Sequence, residues 1–162
     1  MSKRVLRVVL VACGILVASV VFVYACTNLE TPQASFATYE DAVKRGAMGS
    51  GKWLPTWLPQ TATDIREAHN IDTNFVWLEF KQPGVLHDIK GQCQAIDQRS
   101  MEAALPNMAS TFPGDIRENR ARLVGSVEVE AISCSDTKMP RNWIVVRLKG
   151  DSSTYAWTPQ VQ

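Results

Sequence analysis

The 162-residue sequence predicts an α+β fold: one small domain on an antiparallel sheet of four to five strands, with one or two short helices. Three observations carry this. Short strand-like runs of apolar, β-branched and aromatic residues recur, most clearly over residues 75–80 and 142–149. The helical patterns are brief and sit towards the N-terminal side and the middle. The length suits one domain, and 46% hydrophobic with 20% charged residues are ordinary globular values that exclude a disordered tail, a collagen-like repeat and a multi-span membrane protein.

The chain is organised as an N-terminal signal or membrane anchor (1–25), a tether (26–35) and the α+β domain (36–162). Residues 8–25 form an unbroken apolar run of 18, preceded by Lys3, Arg4 and Arg7. A basic flank before an apolar stretch holds the N-terminus in the cytoplasm and sends the rest of the chain out of it. Eighteen residues lie between a cleavable signal core and a full membrane span, so length leaves signal peptide and uncleaved anchor both open. The string Val23-Tyr24-Ala25-Cys26 is laid out like a bacterial lipobox, with Ala25 before a cysteine that would carry lipid. Tyr24 departs from that pattern. The expectation is a lipoprotein or an anchored protein, membrane-attached and facing the periplasm.

Cysteine parity adds to this. In an oxidising compartment thiols tend to pair. With Cys26 lipidated, Cys93 and Cys134 remain to form one disulfide; a free Cys26 would leave an odd count. Residues 27–35 are small and polar, as expected of a tether.

Thr38 caps a short helix that ends at Gly46, with Phe36, Tyr39, Ala42 and Val43 spaced for one face. Trp53-Leu54-Pro55-Thr56-Trp57-Leu58-Pro59 carries two prolines that exclude a regular helix or central strand, and reads as an ordered extended loop. Residues 61–81 read as a hairpin: a first strand at 64–69, a turn at 70–74, and a second strand at 75–80. In that second strand Phe75, Trp77 and Glu79 share one face, and Val76, Leu78 and Phe80 the other. A helix over 62–72 is the rival reading, since Ile65, Ala68 and His69 also fit helical spacing. Residues 100–105 are helix-like, and 126–134, 142–149 and 154–158 are strands.

Motifs for chemistry are sparse. Residues 46–52 approach a phosphate-binding loop, but Trp53 stands where the metal-binding Ser or Thr belongs and Pro55 blocks the helix that should come after it; no nucleotide or other cofactor is expected. His69 and His87 lack the spacing of a zinc site, and no hydrolase motif is present, so neither metal nor catalytic residues are assigned. The net charge of +1, with 14 basic against 16 acidic residues beyond residue 25, gives no basic face for nucleic acid.

Residues 52–74 resemble a pattern in small bacterial envelope proteins of the YbbD-like kind. The matching residues are Trp53, Leu54, Pro55, Leu58, Pro59, Ala62, Asp64, Ile65, Glu67, His69, Asp72, Thr73 and Asn74; Lys52 stands where the pattern usually has glycine. The resemblance implies an envelope location and a small α+β domain. It implies no activity, so no catalytic residue transfers.

The function expected is a non-enzymatic, membrane-tethered periplasmic binding or accessory protein with a protein partner in the envelope. An immunity or phage-exclusion factor is the alternative in that class, and a small cell-wall hydrolase acting through Asp64, Glu67 or His69 the alternative in another. The expected recognition surface is Trp53, Trp57, Asp64, His69, Asp72 and Asn74, with rigid tryptophans beside a polar turn.

Overall fold

A seven-stranded antiparallel sheet organises the chain, as seen in a computed structural model that describes residues 10, 13–21, 31–48, 52–86, 89, 92–105, 112, 114–124, 128–136 and 141–159. The elements run β1 (Gln33–Thr38), α1 (Tyr39–Lys44), β2 (Thr63–His69), β3 (Val76–Lys81), β4 (Gln92–Ala95), α2 (Gln98–Ala103), α3 (Gly114–Leu123), β5 (Val129–Asp136), β6 (Arg141–Leu148) and β7 (Ser153–Trp157). The spatial order is β1-β2-β3-β7-β6-β5-β4. Two meanders, β1–β3 and β4–β7, are thus joined where β7 pairs with β3, with Trp77 opposite Trp157 and Leu78 opposite Ala156.

The alternation in β3 decides the layering. Val76, Leu78 and Phe80 face one side, with Ile65, Trp143 and Val145, and that side is covered by α1 and the loop between α1 and β2. Trp77 faces the other side with Ala68, Val146, Tyr155 and Trp157, beneath Met101 of α2 and Ile116 and Leu123 of α3. Trp77 and Trp157 stack at 5.6 Å between ring centres, an arrangement worth about 0.5–1.5 kcal/mol beyond the area it buries.

Local chemistry explains the boundaries. Thr38 accepts a hydrogen bond from the Asp41 amide and caps α1, with Glu40 and Asp41 in the first turn, where the helix dipole favours negative charge. Gly46, at φ 67°, leaves the helix through the left-handed region. The hairpin rather than the helix forms over 61–81, and Asn70 builds its turn by accepting from the amides of Asp72 and Thr73. Asp64, at φ 49°, is the extra residue of a bulge between Thr63 and Arg66. Cys93 and Cys134 lie directly opposite in the β4–β5 ladder and are disulfide-bonded.

Several expectations change. The sheet has seven strands rather than four or five: β1 and β4 are added at its two edges, and β1 begins at Gln33, inside the stretch read as tether. Helix α3 is an addition as well. Val43 is 48% exposed rather than on the packed face of α1. Residues 13–21 are helical, and among the described residues no helix is long and apolar enough to cross a membrane. The lipobox-like residues 23–26, with Cys26, lie outside the described residues, as do His87 and residues 49–51 of the glycine-rich loop.

Candidate functional site

Residues 53–59 cover one face of the sheet as an ordered loop that is not extended throughout, because it turns at Thr56 and Trp57, where the Leu58 amide donates to the Pro55 carbonyl at 3.3 Å; specific contacts fasten it to both meanders. Trp53 lies flat on His69 of β2, with 3.7 Å between ring centres and 14° between planes. The Arg141 guanidinium, from the start of β6, sits 5.1 Å from the Trp53 ring centre, a cation–π contact. Thr56 donates twice to Asp136 at the end of β5, from its amide at 2.7 Å and its hydroxyl at 2.9 Å. Trp57 meets Trp143 of β6 edge-on at 5.6 Å and Phe80 of β3 at 6.4 Å. Leu54, Trp57 and Leu58 are buried; Trp53 stays half-buried.

Beneath Trp53 lies a buried ionisable pair. Glu67 and His69 are next-but-one neighbours on β2 and so share a face, the one under the loop. Their Oε1 and Nδ1 atoms are 2.6 Å apart. Burial pushes the Glu67 carboxyl up to about 8, and burial, seconded by the Arg141 charge, holds His69 below its usual value. Both shifts favour the uncharged forms of the pair, which share a hydrogen bond between Oε1 and Nδ1. Burying a neutral hydrogen-bonded pair avoids the desolvation cost of two charges. Its consequence is a rigid, uncharged floor for the indole.

Of the six expected surface residues, Trp53 and His69 are brought into contact. Trp57 is in the core, 5% exposed. Asp72 and Asn74 belong to the hairpin turn just past His69, and Asn74 adopts φ 55° there. Asp64 stands apart: it pairs with Lys81 at 2.9 Å and lies five strand residues from His69, about 16 Å at the usual rise. Sequence reasoning misses Asp136 and Arg141, because they are some 80 residues from the loop they hold and each reads locally as a strand end. It finds Glu67 as a residue of the YbbD-like pattern and as a hydrolase carboxylate, and not as the buried partner of His69.

The loop, its histidine floor and the hairpin under it fall within one stretch of chain. Residues 30–81 match the family model of the YbbD head domain. That span contains β1, α1, the loop, β2 and β3, the first meander and the cover of one face. The match covers 52 of the 162 residues, and for that part the chain is similar to a YbbD head domain. No match was found among curated proteins or among solved structures. Among the described residues no group of three or more His, Cys, Asp or Glu side chains is placed to hold a metal ion.

Proposed function

We propose that this chain is a membrane-tethered protein of the bacterial envelope, facing the periplasm, that acts by binding a partner rather than by catalysis. The observation that carries the reading is the YbbD-head match at residues 30–81, starting directly after an apolar run with a basic flank and a lipobox-like Cys26. The site's chemistry favours binding over hydrolysis. Glu67 is engaged with His69 at 2.6 Å, and the other carboxylate considered, Asp64, is paired with Lys81 and distant. The half-buried Trp53, stiffened by Pro55 and flanked by Arg141, is the composition of a recognition anchor.

Two measurements test this together. Metabolic lipid labelling of wild type and Cys26→Ser, combined with membrane fractionation, reads the tether: label lost with the cysteine supports lipid attachment, and an unlabelled wild type retained in membranes supports the uncleaved anchor. A photo-crosslinker at the exposed Lys52 reads the partner. A discrete envelope-protein adduct that Trp53→Ala abolishes supports the reading. Release of muropeptides by the purified chain, lost with Glu67→Gln, overturns it in favour of the hydrolase.

A further inference from the structure

Beyond Trp53 the same loop borders a cavity of about 440 Å³, within the size range of small-molecule sites. Its walls come from the first residue of α1 and from residues 56–61. Their chemistry is uniform in one respect: among the described residues, none that lines it is charged. The half-buried Tyr39 supplies an aromatic ring, Pro59 an apolar edge, and Thr56, Gln60 and Thr61 hydroxyl and amide groups, while Trp57, only 5% exposed, borders the cavity from the core. The Trp57 indole N–H is buried without an acceptor among the described residues, as are those of Trp77 and Trp143 away from this cavity. The backbone here is already fixed, through the Thr56–Asp136 bonds and the Ala62 amide donating to the Pro59 carbonyl at 2.9 Å, so a ligand need not order it.

A second large cavity shows the contrast. It has about 460 Å³ at the β2 bulge and is lined by Asp64, Arg66, Glu79 and Lys81, whose charges are engaged with one another. A neutral wall of aromatic rings, hydroxyls and an amide fits a ligand that is uncharged, rich in hydroxyls and apolar on its ring faces.

We propose that the Tyr39–Trp57–Gln60 cavity binds an uncharged glycan segment. The proposal deepens the binding role and rests on the envelope location, where such chains are exposed either as N-acetylated amino-sugar strands of the wall or as neutral hexose polymers.

The test is a titration of the purified, ¹⁵N-labelled full chain with chitotetraose and, separately, maltotetraose. The readout is the indole N–H resonance of Trp57, assigned through Trp57→Phe. A saturable shift with chitotetraose alone identifies the wall-type glycan, and one with maltotetraose alone the hexose type; either supports the proposal. Gln60 is exposed, so Gln60→Ala leaves the fold intact and is expected to weaken binding about fivefold, the effect of one neutral hydrogen bond. Tyr39→Ala should abolish binding and Tyr39→Phe should largely restore it. No saturable shift with either sugar at millimolar concentration overturns the proposal, as does binding that Gln60→Ala and Tyr39→Ala both leave unchanged. The titration is made in solution, so its failure leaves the lipid-labelling result standing, and a failed labelling leaves the titration standing.

Discussion

The two faces of the sheet are covered by different means. On one, α2 and α3 lie over Trp77, Tyr155 and Trp157, with a rim of exposed ion pairs such as Arg66 with Asp115 and Arg122 with Asp151. On the other, an irregular proline-bound loop and a single short helix do the covering, held by contacts made one residue at a time. Helices satisfy their own backbone and need only an apolar stripe. A loop must find partners for its polar groups, which is why Asp136 is buried under Thr56. The loop face thus concentrates its stability in a few side chains, whereas the helix face spreads it over many.

That contrast predicts where the molecule breaks. The largest effect belongs to Trp57→Ala, which empties a core site between Trp143 and Phe80 and should cost about 3–5 kcal/mol in chemical denaturation. Reducing or replacing the Cys93–Cys134 bridge, which spans 41 residues, should cost about 3–4 kcal/mol by the chain-entropy relation, read as a lower denaturant midpoint. Arg66→Ala on the helix face should cost no more than about 1 kcal/mol, since its partner Asp115 is half-exposed. A larger loss there would erase the distinction between the faces.

The buried pair sharpens the comparison through pH. Glu67 has its carboxyl raised from 4.5 in the open chain to about 8 when folded. The unfolded state therefore releases that proton first, and stability falls as pH rises until about 8, where the folded carboxyl also ionises. His69 is lowered, so its contribution is lost as pH falls below 6.5. The window from 6.5 to 8 isolates Glu67. Glu67→Gln should flatten the decline in that window and be more stable than wild type at pH 8, on the order of 2–3 kcal/mol. Denaturant midpoints at pH 6.5 and 8 check it; parallel declines in both proteins would show that Glu67 does not govern the slope.

How much of this is legible in the sequence depends on the same physics. Strands β3 and β6 announce themselves because each is apolar enough to be buried between two layers, and the Thr38 cap and the Asn70 turn are local hydrogen-bonding devices readable from residue type. The edge strands are not. Gln33–Thr38 buries only Phe36 and Gln92–Ala95 has four residues, two of them glutamine, because an edge strand has fewer neighbours and less surface to bury. Helix α3 hides because only Ile116 and Leu123 are buried in a ten-residue segment rich in charge. At the candidate site, the rigidity of the loop is readable from Pro55 and Pro59. Which tryptophan it buries, and that Asp136 and Arg141 hold it, depends on tertiary pairing across some 80 residues.

Amide hydrogen exchange on wild type and Asp136→Ala tests most directly the claim that the loop face is fastened by single residues. Asp136 accepts both bonds from Thr56, and the amides of Leu58 and Ala62 bond within the same loop. The account predicts that Asp136→Ala loses protection at Thr56, Leu58 and Ala62 while the helix-face amides of Met101 and Ala104 keep theirs. Unchanged protection in the loop, or an equal loss on both faces, would contradict it.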